Sequence, residues 1–189
     1  MAKQISRRGI LQSGIAASLL SAVPVVTWAD EQAYKPAVSG RPAPGPSAFN
    51  KDSTAEDVTA GMDLAGFTAL VTGCNSGLGL ETMRVLAMRG AHVIGAARTA
   101  EKAEAACASV EGKTTPLVVE LTDLPGIVDA AGQVAGMDTP IDMLILNAGI
   151  MRLPELQLSN GVERQFAVNH LGHFLLTNLL LEQVIAAKA

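Results

Sequence analysis

From about residue 63 onward, strand-like and helix-like hydrophobic patterns take turns along the chain. Phe67-Thr68-Ala69-Leu70-Val71 is an apolar, β-rich run and predicts a strand over Phe67–Val71. Leu80, Met83, Leu86 and Ala87 recur at helical spacing and predict a helix over Leu78–Arg89, capped by Gly90. Ala91–Ala96 predicts a second strand, Ala100–Ser109 a short alanine-rich helix, and Thr115–Leu121 a third strand. Leu124–Ala135 predicts a helix with Pro125 in its first turn, where a missing N–H is harmless. Ile141–Leu146 is an unbroken apolar run suited to a strand buried on both faces, and a last helix is predicted from about Gly161 to the C-terminus. Repeated strand–helix units predict an α/β fold, a Rossmann-like doubly wound parallel sheet. Its topological switch point lies between the first and fourth strands, where such sheets bind dinucleotides.

The pattern before residue 63 is of a different kind. Lys3, Arg7 and Arg8 precede an uncharged apolar stretch, Ile10 to Val26, and Ser6-Arg7-Arg8-Gly9-Ile10-Leu11-Gln12 reads as a twin-arginine signal. Ala29, just before Asp30, offers a cleavage point, so residues 1–29 are expected to act as a signal peptide for export, giving a periplasmic protein. Left uncleaved, the same stretch would anchor the chain in the membrane. Pro36, Pro42, Pro44 and Pro46, with Gly40 and Gly45, make residues 30–62 a semi-rigid tether, with the folded part beginning between Thr54 and Asp63.

Composition narrows the class. The chain has 189 residues, 49% hydrophobic and 17% charged, enough for one domain with a buried core. Aromatic residues at 3% and a net charge of −4 exclude stacking platforms and phosphate-backbone binding, so no nucleic-acid partner is expected. Two cysteines, Cys74 and Cys107, do not make a disulfide framework and are expected as free thiols; Cys74 sits beside a helix N-terminus, which can lower a thiol pKa, but is read as filling a variable loop position. His170 and His173 stand three apart on the last predicted helix without other ligands nearby. They are expected in packing, and no metal site is expected.

The chemistry begins at Thr72-Gly73-Cys74-Asn75-Ser76-Gly77-Leu78-Gly79, between the first strand and the first helix. Glycines there allow a tight turn and let a phosphate approach the N–H groups of a helix N-terminus, where the macrodipole favours negative charge. Gly73 suits the turn, Gly77 the approach of a pyrophosphate, and Gly79 close packing of helix on strand, while Ser76 offers a hydroxyl. The second strand ends Gly95-Ala96-Ala97-Arg98 with no acidic residue to hold both ribose hydroxyls of NAD. Arg98 instead offers a guanidinium to a 2′-phosphate, favouring NADP over NAD. Asn147-Ala148-Gly149 follows the fourth strand directly, small enough for close approach and with an amide able to tie neighbouring backbone.

With these motifs in order, the chain resembles the short-chain dehydrogenase/reductase family over roughly Asp63 to Ile185. Thr72–Gly79 matches its Thr-Gly-x-x-x-Gly-x-Gly signature, Asn147–Gly149 its Asn-Ala-Gly signature, and Gly161 to Thr177 looks like the corresponding helix of the retinol-dehydrogenase-like branch. The resemblance implies an NAD(P)-dependent oxidoreductase acting on a small alcohol or carbonyl compound, and is compatible with a homo-oligomer. It implies that Gly73, Ser76, Gly77, Leu78 and Gly79 hold the pyrophosphate. Arg98 marks NADP-preferring members, Asn147, Ala148 and Gly149 lie beside the adenosine and nicotinamide ribose, and Asn169 is the catalytic asparagine that positions a relay water. The family's Asp-Leu beside the adenine falls on Glu120-Leu121 by spacing to Ile127; Asp123 is the alternative register. The family's catalytic serine and Tyr-x-x-x-Lys lie beyond Ala189, and the one tyrosine here, Tyr34, sits in the tether. The expectation is therefore a truncated reductase, with the sheet incomplete on its C-terminal side. It would hold the cofactor half of a site and turn over poorly; a non-catalytic dinucleotide-binding module is the alternative. A methyltransferase does not account for Asn147–Gly149 or Asn169.

Overall fold

The structure, a computed structural model, describes residues 47–187; the predicted signal and residues 30–46 of the tether lie outside the described residues. A short helix α1 (Ala55–Val58) comes first, followed by β1 (Thr68–Thr72), α2 (Gly77–Met88), β2 (His92–Ala97), α3 (Ala100–Ala108), β3 (Thr114–Val118), α4 (Leu124–Ala135) and β4 (Met143–Ile145). A two-strand hairpin of β5 (Leu158–Ser159) and β6 (Val162–Glu163) then leads into α5 (Arg164–Phe166), a π-helical stretch Ala167–Gly172, α6 (His173–Leu179) and α7 (Leu181–Ile185).

The main sheet is parallel throughout, in the order β3-β2-β1-β4. Its central strand β1 is buried along its whole length, and successive residues feed opposite faces. Leu70 joins Ile94, Leu117, Ile127 and Leu176 on the α4 and α6 side, while Ala69 and Val71 join Met83, Val93 and Cys107 on the α2 and α3 side. Helices on both faces make the sheet doubly wound, as predicted. The chain moves outward from β1 to β2 and β3, then returns across to β4, which places the switch point between β1 and β4.

Several boundaries differ from the sequence expectation, each for a physical reason. Helix α1 falls within the stretch read as tether. A reciprocal capping box between Thr54 and Asp57 starts it, and Glu56 pairs with Arg84 of α2 at 2.7 Å, so ordered packing begins at Thr54, the early end of the expected range. The fourth strand shortens to Met143–Ile145 and is half-buried, because among the described residues it pairs with β1 alone. Gly161 does not open a helix. It forms a tight hairpin turn with Asn160, φ +79° and +51° respectively, as Asn-Gly pairs favour. Helix α5 starts only at Arg164, where the N–H groups of Gln165 and Phe166 donate to the Glu163 carboxylate and hold its pKa below the usual range.

Candidate active site

A cleft of about 420 Å³ opens at the switch point, over the C-terminal ends of β1, β2 and β4. Thr72, Gly73, Asn75 and Ser76 line one part of it, Ala97, Arg98 and Lys102 another, Val119, Glu120 and Leu121 a third, and Asn147 to Ile150 a fourth.

The glycine loop is built by backbone constraint. The N–H groups of Gly73 and Cys74 both donate to the Ala96 carbonyl, folding the chain sharply off β1 with Gly73 at φ +69°. A Cβ at Gly73 would stand 2.9 Å from the Ala148 Cα, and one at Gly79 would strike the Gly73 carbonyl and the Asn147 amide. Gly77 differs from both: its φ of +56° suits glycine, but a Cβ there would meet nothing within 4 Å, so open space faces the start of α2. Ser76 sits at the N-cap of that 12-residue helix without using its hydroxyl as a cap. Ser76 lines the cleft, and the first-turn N–H groups of α2 follow it directly.

The Asn-Ala-Gly turn is stitched onto the glycine loop. Asn147 Nδ2 donates to the Thr72 carbonyl at 2.9 Å, and the Ala148 N–H donates to Thr72 Oγ1 at 3.0 Å. Asn169, on the π-helical stretch, pins the next residue from the other side. Its Nδ2 donates to the Ile150 carbonyl at 2.7 Å and its Oδ1 accepts from the Ile150 N–H at 2.8 Å. Its side-chain amide thus holds both main-chain groups of Ile150.

The predicted residues are not all placed alike. Gly73, Ser76, Arg98, Glu120, Leu121, Asn147, Ala148 and Gly149 line the cleft. Leu78 points outward and is 80% exposed, so only its backbone faces the loop, and Gly79 is buried beneath. The two registers considered for the third strand separate clearly. Glu120 lines the cleft and folds back so that its Oε1 accepts from the Thr122 N–H and hydroxyl, whereas Asp123 lies against Gly126 at the start of α4. Lys102 was not singled out from the sequence. It lies in the first turn of α3, and the fold brings it to the cleft beside Arg98, which precedes the helix.

Cys74 fills the loop as a buried free thiol. Its thiol is buried against Met83 and Cys107, all three sulfurs lying about 3 Å from where a Gly95 Cβ would stand. Burial, with the neighbouring Cys107 adding to it, pushes the Cys74 pKa up to about 11; burial also raises Cys107. Neither thiol of the folded chain is expected to react with an aromatic disulfide reagent at pH 8, while both should react once the chain is unfolded in guanidinium. Rapid labelling of the native chain would contradict this burial.

Residues 67–189 match the family model of the short chain dehydrogenases. The chain belongs to the short-chain dehydrogenase family. It is 42% identical over 145 residues to the short-chain dehydrogenase TIC 32 B, chloroplastic, of Brassica napus, covering 74% of this chain and 45% of that protein. It is 43% identical over 129 residues to human retinol dehydrogenase 13, covering 66% of this chain and 39% of the relative. The chain thus spans less than half the length of these curated relatives. Among solved structures, an uncharacterised protein from Mycobacterium paratuberculosis superposes with a TM-score of 0.59 at 44% identity, over 65% of this chain and 44% of that one. A metagenomic short-chain oxidoreductase crystallised in complex with NADP superposes with a TM-score of 0.56 at 26% identity, over 65% of this chain and 58% of that one. Members of this family are oxidoreductases that bind NAD(P) and act on small molecules, and the parallel sheet with its glycine loop is the dehydrogenase architecture.

Proposed function

We propose that this chain binds NADP(H) and forms the cofactor-holding part of an oxidoreductase acting on an alcohol or a carbonyl group. One observation carries the proposal: the cleft that Gly73 and Ser76 line ahead of α2 is also lined by Arg98 and Lys102, with no carboxylate directly after β2. The first-turn N–H groups of α2 and Ser76 take the pyrophosphate, and the two cations take the 2′-phosphate. Glu120 and Leu121 flank the adenine, and Asn147 to Gly149 flank the ribose on the β4 side. Asn169, its amide committed to Ile150, offers its main-chain carbonyl to a relay water. When bound, the nicotinamide supplies or accepts hydride. The NADP complex of the metagenomic relative supports the choice of cofactor.

Fluorescence titration of the purified chain tests the reading. NADPH is expected to bind about tenfold more tightly than NADH, a modest gain for charge-assisted contacts at an exposed site. Equal affinity, or tighter NADH, overturns the preference; no binding of either overturns the cofactor assignment.

A further inference from the structure

His173 is a buried polar residue that the cofactor contacts leave unexplained. It opens α6, one turn after Asn169, and is only 5% exposed. Its Nε2 lies 2.9 Å from Thr72 Oγ1, at the end of β1 and 101 residues away in sequence. Its Nδ1 lies 3.4 Å from the Asn169 carbonyl oxygen. That carbonyl can only accept, so Nδ1 carries the proton and Nε2 is the acceptor. The Thr72 hydroxyl then donates to Nε2 while its oxygen accepts from the Ala148 N–H. Every donor in the series has an acceptor, and the direction is fixed: Ala148 to Thr72, Thr72 to His173, His173 to Asn169. Burial holds the His173 pKa below the ordinary histidine range, partly offset by the Asn169 carbonyl, so the neutral ring this series needs is the form present at neutral pH.

We propose that His173 is a positioning residue that locks the Thr72 hydroxyl and the Asn169 main-chain carbonyl into one hydrogen-bonded series, setting the glycine loop, the Asn-Ala-Gly turn and the π-helical stretch in register for the dinucleotide. A packing role alone would ask for an apolar side chain of similar volume. The 2.9 Å bond to Thr72 asks for an acceptor at this one position. With phenylalanine there, the Thr72 hydroxyl would lose its buried acceptor, and the two loops it joins would be free to drift apart.

The proposal rests on the cofactor reading above, and its test separates the two. NADPH titration is made on the wild-type chain, on His173→Phe and on His173→Gln, whose amide oxygen reaches about as far as Nε2. His173→Phe is expected to weaken NADPH about tenfold, and His173→Gln to recover most of the loss. In parallel, nitrogen NMR of the wild-type chain labelled at histidine should show His173 as the Nδ1–H tautomer near neutral pH. Equal NADPH affinity in His173→Phe and wild type, or an Nε2–H tautomer, overturns the proposal. Should the wild-type chain bind no NADPH, the cofactor reading fails, and the tautomer alone decides the proposal. Should His173→Phe fail to fold, the glutamine variant and the tautomer carry the decision.

Discussion

Gly79→Ala is expected to destabilise the folded chain by about 3 kcal/mol and to abolish NADPH binding. The added methyl would strike the Gly73 carbonyl and the Asn147 amide, one of them backbone fixed by β1 and the other a side chain already bonded to Thr72. Neither is the flexible end of a long side chain, so the start of α2 would have to move. Over-packing of this kind costs roughly 1–3 kcal/mol. Losing the Asn147 bond to the Thr72 carbonyl adds about 1 kcal/mol more. The matched control is Gly77→Ala, where nothing stands within 4 Å and only the positive φ of +56° is penalised. That control should cost about 1–2 kcal/mol and leave the fold intact. Urea unfolding of both variants measures the contrast, and equal stabilities would refute the assigned crowding at Gly79.

Arg98→Ala combined with Lys102→Ala is expected to raise the NADPH dissociation constant about tenfold, cancelling the preference, while leaving NADH within about threefold. Both side chains line the cleft beyond β2, and the chain carries a net charge of −4, so this pair is a local reversal of the overall sign. A charge-assisted contact to phosphate is worth roughly 1.5–3 kcal/mol when shielded from water, and screening at an exposed site brings the pair to the lower end. The selectivity should therefore shrink at high salt in the wild type and show little salt dependence in the double variant. Parallel loss of NADPH and NADH affinity would show that the two cations support the loop and do not read the phosphate.

The elements that were legible in the sequence are those whose signal is local and periodic. The apolar run before Gly73, the stripe from Leu80 to Ala87 and the proline at the start of α4 each encode their own structure, and the structure has all three. Strand order followed from the strand–helix alternation. The last segment was read less well because two signals there compete. Helical spacing continues through it, yet Asn160-Gly161 supplies the two positive φ values of a hairpin turn. The π-helical stretch is a different matter: a single widened turn barely changes the period measured over a long window, so periodicity is blind to it. The site divides along similar lines. The loop glycines and Arg98 announce themselves by spacing, whereas Lys102 joins the cleft only through the fold of α3. The bonds from Thr72 to His173 and from Asn169 to Ile150 join segments far apart or on different elements, and no local pattern announces them. Cys74 shows the limit of reading a residue by its sequence neighbours, since burial beneath the loop decides its chemistry.

The stitch between Asn147 and the Thr72 carbonyl spans 75 residues. It makes two short motifs, far apart in the gene, a single unit of inheritance. A substitution in the glycine run changes what the Asn-Ala-Gly turn must fit, and the reverse holds as well. Neither can drift alone without opening the seam between β1 and β4. Divergence in such a protein is therefore channelled elsewhere, into outward positions such as Leu78, whose side chain is exposed and whose replacement asks nothing of a distant partner.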